Sequence, residues 1–481
     1  MSFKAALESF GNYPEWKKVV SILLLFMPII LMAAMFTWLI SMPGSLGMVR
    51  VMLIIRVVLY ALGAFALVTS IVALLLFVVL KSRPPDGRRW VRITVGTCLG
   101  LVIGAGILLP SGIYTFFKVT ASVRSGDKPP QLLMVSGTGA RGTPDLAVTF
   151  WTREPSISTF TWGDGHTETT LADEEEARSH VFVMDDLEPG QEYWYRIDNG
   201  RVQHYRALPA DGTIRFAAGG DAHFGAGNSR NDITRKILGN IADPENGFDA
   251  LFLLGDLVEL GFVDADWEEA LTSISPFTSV IPTRPLPGNH DMLLTGYRKY
   301  REYLYPEGMP VNSGSREWYR IDAGDIHFFL LDFEWGLDSY TVEQREWFES
   351  ELASVPQDSW KIVMSHCMFF SSGLRIDGWD WYDRPDILAT FPPLFEEHNV
   401  QLVLNGHKHQ LELLEHNGVT YCIGAGLGGH HNAEPTYRSP ASQWLMTDGF
   451  GFVDVTIAGD QATVVFRDPE MEVLQQATIN R

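Results

Sequence analysis

Cysteine is almost missing from this chain: 481 residues hold three, Cys98, Cys367 and Cys422. Cys98 lies in an apolar run, so the remainder can form at most the single bridge Cys367–Cys422, and a dense disulfide framework is excluded. Two buried free thiols are the plainer expectation, because free cysteine is usually a buried residue. Charge is missing altogether from three runs, residues 19–40, 57–80 and 93–117, of 22, 24 and 25 residues. Beyond these runs basic charge is scarce. Through Lys128 the chain carries thirteen Lys/Arg and four Asp/Glu, a net of +9, whereas the rest carries 24 basic against 54 acidic residues, a net of −30. Nucleic acid requires a basic footprint, so its shortage argues against that partner. No Ser or Cys nucleophile motif stands out either.

What is present divides into three parts. Residues 1–128 read as a membrane anchor, since each charge-free run reaches the roughly 20 apolar residues a bilayer core demands. Lys81, Arg83, Arg88, Arg89 and Arg92 fill the loop between the second and third runs, and the positive-inside bias puts that loop in the cytoplasm. The expected localisation is multi-pass membrane, with a cytoplasmic N-terminus, the remaining chain extracytoplasmic and the lipid bilayer as a partner.

Residues 129–209 read as a small β-sandwich. Leu146, Val148 and Phe150 alternate in one segment and Tyr193, Tyr195 and Ile197 in another, the period of half-buried strands. The turn Leu187-Glu188-Pro189-Gly190 leading to Tyr193 resembles the tyrosine corner of fibronectin type III domains. No cluster of reactive side chains falls here.

Residues 210–481 alternate apolar strands with helical stretches, the pattern of an α/β domain. Strands are expected at 214–218, 250–254, 325–331, 361–364 and 401–404, and helices at 229–241 and 341–354. Polar residues come directly after the strands: Asp221 and His223 after the first, Asp256 after the second, Asn289, His290 and Asp291 after residues 280–287, His366 after the strand at 361–364, His407 and His409 after the last. Sites in open α/β sheets lie beyond the carboxyl ends of strands, so these blocks can meet in one crevice. Together they offer two Asp, one Asn and four His as ligands, a mixed oxygen and imidazole set that suits zinc, manganese or iron. Each block alone reads as a turn or a cap; the ordered set does not.

In order, D-x-H, GD, GNH, H and G-H-x-H, the blocks resemble those of the calcineurin-like metallophosphoesterases, and the β-sandwich before them resembles the N-terminal domain of purple acid phosphatases. The resemblance spans about residues 131–467. It implies a two-sheet β-sandwich flanked by helices and two metal ions, Mn, Fe or Zn. Asp221, His223 and His409 would hold the first ion and Asn289, His366 and His407 the second, with Asp256 between them. It further implies phosphoester hydrolysis by a metal-bridging hydroxide, with His290 as acid toward the leaving group and Asp291 orienting its ring. Phosphomonoesters are the expected substrates. A phosphodiesterase or pyrophosphatase acting on lipid head groups and a non-catalytic membrane receptor are the alternatives. One departure stands out: purple acid phosphatases carry a tyrosine iron ligand three residues after the bridging Asp, where this chain has Glu259, and their first block lacks a histidine like His223. A violet tyrosinate–iron centre is therefore not expected. Around the site, the aromatic segment 369–383 is a candidate lip, and His430, His431 and Arg438 are candidate contacts for substrate phosphate.

Overall fold

The computed structural model describes residues 119, 122–137, 139–376 and 379–481. The alternating segments become strands β1 (Lys128–Met134), β2 (Leu146–Ser156), β3 (Thr159–Gly163), β4 (Glu168–Ala172), β5 (Ala177–Met184), β6 (Glu192–Ile197) and β7 (Gln203–Arg206). Strands β3, β4, β6 and β7 make a four-stranded sheet, while β1, β2 and β5 join a larger one. The tyrosine turn closes as its sequence suggests, with the Glu188 N–H donating to Tyr193 Oη at 2.9 Å. Strand β2 departs from simple alternation. Leu146 through Thr149 and Trp151 are all buried. One face meets the Phe160–Phe182 stack at 5.1 Å, and the other lays Trp151 edge-on to Tyr303. A strand covered on both faces loses its polar alternation.

Two sheets then build the larger part. Strands β8 (Thr213–Gly219), β9 (Ala250–Leu253) and β10 (Thr283–Pro285) run parallel. β10 also pairs in parallel with β1 at Leu133 and Thr283, so the front strands continue the same nine-stranded sheet. Its far edge is the C-terminal meander β20 (Phe452–Ala458), β21 (Gln461–Arg467) and β22 (Val473–Asn480). The second sheet has seven strands. Within it β12 (Ile326–Leu331), β13 (Trp360–Ser365), β16 (Leu402–Asn405) and β18 (Val419–Gly424) run parallel, bounded by β11 (Tyr319–Ala323) on one side and by β17 (Leu411–His416) and β19 (Ser442–Met446) on the other. A short hairpin, β14 (Leu374–Ile376) and β15 (Trp379–Trp381), stands apart.

Among the described residues, five α-helices cover the outer faces: α1 (Asn231–Ala242), α2 (Asp264–Thr278), α3 (Gly296–Leu304), α4 (Val342–Ser354) and α5 (Pro385–Glu397). One core lies between the sheets, where Phe216 and Phe252 from the first meet Phe328 from the second. A second core holds Phe348 of α4 and Phe391 and Phe395 of α5 against the second sheet. A third holds Ile237, Trp267 and Tyr300 of α1 to α3 against the first. Burying both faces of each sheet explains why their strands read as near-continuous apolar runs.

The expected fold class and localisation need correction. Among the described residues no helix is long and apolar enough to cross a membrane. The longest, α2, has 15 residues and opens with two aspartates in its first turn, short of the roughly 20 apolar residues required. The fold described is a β-rich α/β architecture with five helices. Three transmembrane helices form no part of it, and a multi-pass membrane localisation with an extracytoplasmic domain, which rests on such helices, is not supported. The runs at 19–40, 57–80 and 93–117 themselves lie outside the described residues.

Candidate metal centre

Parallel strands deliver their carboxyl ends to one edge of a sheet, and here both sheets deliver to the same edge. Asp221 and His223 come after β8, Asp256 after β9, and Asn289 and His290 after β10; from the other sheet His366 comes after β13, and His407 and His409 after β16. Backbone bonds lock these turns together: Asp221 N–H to the Gly255 carbonyl and His223 N–H to the Asp256 carbonyl, each at 3.0 Å. The His407 N–H crosses between sheets to the Asp221 carboxylate at 2.9 Å. The turns are strained. Asp221, His223, Asp256, His407 and His409 all sit at positive φ, from 46° to 72°, a region that costs a non-glycine residue of order 1–3 kcal/mol and clusters at functional sites.

The side chains converge. Asp221, His223, Asp256 and His409 offer ligand atoms within 4.8 Å of one another, as do Asp256, His366 and His407. Asn289 Oδ1 lies 2.9 Å from His366 Nε2 and so joins the second group. The donor set also passes a chemical test of fit. His409 Nδ1 faces the His430 carbonyl and His223 Nδ1 faces Glu259 Oε2, both acceptors, so each ring carries its proton there. Their Nε2 atoms are left as bare lone pairs, yet they point at each other across 3.0 Å. His366 repeats the pattern, with Nδ1 on the Leu254 carbonyl at 2.8 Å and Nε2 3.1 Å from His407 Nδ1. Facing lone pairs repel unless a cation is shared between them, so these residues fit metal ions.

Electrostatics agrees. Burial by itself would raise the Asp256 carboxyl, but His366 and His290 outweigh it and hold the group well below the usual carboxylate range. Burial would lower His366, yet Asp256 beside it outweighs this and favours positive charge on the ring, a charge that a metal ion on Nε2 would supply in place of a proton. Each charge is thus supported only by the others, in a region almost closed to water.

His290 borders the cluster, its ring 4.5 Å from that of His223. Asp291, expected to orient that ring, is placed otherwise: its two oxygens accept from the Val258 and Gly288 N–H groups at 3.0 Å each, tying the loop down. Burial, reinforced by Asp256, raises its carboxyl to about 7. The residue that meets the His290 ring is Glu259. Its carbonyl accepts from Nδ1 at 2.7 Å, and its carboxylate lies 3.5 Å from the same nitrogen while also holding His223. Reading the sequence assigned Glu259 no role; its signal was its place three residues after Asp256.

The rim is mixed. His430 lies against His409, 4.4 Å between rings, with a buried Nδ1 that has no hydrogen-bond partner. Burial lowers it to about 3. His431 turns to Phe450, and Arg438 is exposed. Of the aromatic segment, Trp381 stacks on His407 at 5.2 Å, but Phe369 and Phe370 are core residues. Trp335 approaches His407 from another side. Cys367 and Cys422 are buried free thiols.

Residues 214–411 match the family model of calcineurin-like phosphoesterases. The chain is 23% identical over 282 residues to purple acid phosphatase 18 of Arabidopsis thaliana, covering 55% of this chain and 61% of that protein. It is 24% identical over 338 residues to probable inactive purple acid phosphatase 1 of the same plant, covering 60% and 54%. The solved purple acid phosphatase from yellow lupin (Lupinus luteus) seeds aligns with a TM-score of 0.60 at 19% identity over 74% of each chain, a likeness of fold. The chain thus spans about three-fifths or less of the length of the curated relatives it matches.

Proposed function

We propose that this chain, whose residues 214–411 are a calcineurin-like phosphoesterase domain, is a binuclear metal-dependent phosphatase acting on phosphomonoesters. The observation that carries the reading is the pair of donor groups sharing Asp256, with imidazole lone pairs facing one another. Asp221, His223 and His409 would hold one ion, Asn289, His366 and His407 the other, and Asp256 both. Bound there, the ions would supply Lewis acidity toward phosphoryl oxygens and an acidified water. The chain supplies the rest. Glu259 fixes His223 by its Nδ1 proton, so that Nε2 faces the cluster. The Glu259 carbonyl accepts from His290 Nδ1; in its doubly protonated form, which burial disfavours and Asp256 and Glu259 favour, the ring would give its Nε2 proton to the departing alkoxide. Asp291 ties that histidine's loop, at the Gly288 N–H, to the turn after Asp256, at the Val258 N–H. All seven positions hold side chains able to bind metal, which counts against a receptor that merely keeps the fold.

The test is the purified full chain loaded with manganese, zinc or iron and assayed on 4-nitrophenyl phosphate and its bis-ester, with Asp256→Asn alongside. Metal-dependent turnover that favours the monoester and disappears in the variant, together with two ions per chain lost on substitution, is the expected result. A preference for the diester would overturn the substrate class, and absence of bound metal the whole reading.

A further inference from the structure

One strand along from the metal cluster lies a cavity of about 530 Å³, lined in part by Met292, Tyr297, Arg301, Arg316, Trp318 and Asp332. Two links place it beside the chemistry. Met292 continues the loop of His290 and Asp291. Strands β12 and β13 pair in parallel with Leu331 opposite Ser365, so Asp332 and His366 leave the sheet as neighbours.

The lining has a balanced charge and unused hydrogen-bonding capacity. Arg301 is ion-paired with Glu317. Arg316 donates to the Tyr305 carbonyl at 3.3 Å. Asp332 joins them in the lining, and its carboxyl is bonded side chain to side chain with Glu334, which is not itself a lining residue; burial pushes the two up to about 7 and about 10, so the pair retains a proton. Of the lining, Asp332 Oδ1 and Trp318 Nε1 are buried without a hydrogen-bond partner. Unpartnered buried polar atoms are rare in folded proteins and are relieved when a ligand supplies the missing partners.

We propose that this cavity is the leaving-group subsite and that it takes an uncharged polyhydroxyl group, the sugar or polyol of a phosphomonoester. The proposal rests on the phosphatase reading above. Hydroxyls both donate, as Asp332 Oδ1 requires, and accept, as Trp318 Nε1 requires. The C–H face of such a group suits the rings of Trp318 and Tyr297. Other chemistries fit worse. A second anion would meet Glu317 and Asp332, an ammonium group would meet Arg301 and Arg316, and an apolar group would leave the buried polar atoms unpaired.

The full chain, metal-loaded, is assayed on glucose 6-phosphate and on cyclohexylmethyl phosphate, which keeps the ring and lacks the hydroxyls. The wild type is expected to favour the sugar ester by at least about tenfold in kcat/KM. Asp332→Ala and the gentler Trp318→Phe are each expected to cut that ratio several-fold, chiefly through KM for the sugar ester. A wild-type ratio near one, or variants that lower both esters equally, would overturn the subsite. If no phosphomonoester is turned over at all, the phosphatase reading fails separately. Saturation-transfer NMR with methyl glucoside then decides the subsite, where binding lost in Asp332→Ala supports it and no binding overturns it.

Discussion

At the scale of single residues, the site depends on which atom of each ring carries its proton. Glu259 and two backbone carbonyls take the Nδ1 protons of His223, His409 and His366, which turns three Nε2 atoms inward. His290 differs, because it gathers with His223 and Glu259 and not with the two donor groups that share Asp256, and its ring is held by the Glu259 carbonyl. His290→Ala should therefore keep both metals and lower kcat by about 10²- to 10⁴-fold, most for leaving groups of high pKa. Equal loss on 4-nitrophenyl and alkyl phosphates, or loss of metal by elemental analysis, would refute the acid role. Asp332 and Glu334 make a prediction in pH. Their folded values are raised, to about 7 and about 10, above those of free carboxyls. The folded state holds the extra protons, so stability falls as pH rises from the ordinary carboxylate range through those values. Between about pH 5 and about pH 9, Glu334→Gln should gain in Tm relative to the wild type as pH increases. A difference in Tm that does not change with pH would show that the pair is not protonated in the folded protein.

At the scale of elements, strand register fixes the site, and small turns let the strand ends approach. Gly288 precedes Asn289 and lies so close to Asp256 that a methyl group would overlap the Asp256 amide and carboxylate. Gly288→Ala should displace either the Asn289 loop or the Asp256 turn. The expected result is a metal affinity at least about tenfold weaker, measured by competition with a chelator, while the far-UV spectrum is kept. Unchanged affinity would mean that the loop yields without cost. The order of blocks was legible because parallel strands send their ends to one edge. The reach of Asp291 was not, since its neighbour in sequence suggested His290 and only the folded loop turns it toward Val258 and Gly288.

At the scale of the whole molecule, Asp264 ties distant segments together. Its buried carboxylate accepts from Lys128 Nζ at 3.1 Å, Lys299 Nζ at 3.0 Å, Tyr303 Oη at 2.5 Å and the Ser125 N–H at 2.7 Å. It thereby joins the segment before β1 to α2 and α3. Asp264→Ala would leave two buried ammonium groups without a counter-charge, a loss of about 3–5 kcal/mol by urea unfolding. A loss under about 1 kcal/mol would mean that water or another carboxylate replaces it.

By itself the sequence determined the strand ends that carry the donors, the family-like order of Asp221, Asp256, Asn289, His366, His407 and His409, and the two alternating segments around Val148 and Tyr195. These are local signals: apolar runs that must be buried and polar residues placed where a run stops. The tertiary structure alone decided that Glu259 holds two imidazoles, and that Phe369 and Phe370 belong to the core while Trp381 reaches His407. It also decided that β1 extends the larger sheet through β10 and that Asp332, one strand over from His366, lines a cavity. Each of these depends on contacts between segments far apart in the chain, set by how two sheets and five helices bury their faces together, and no local pattern encodes them.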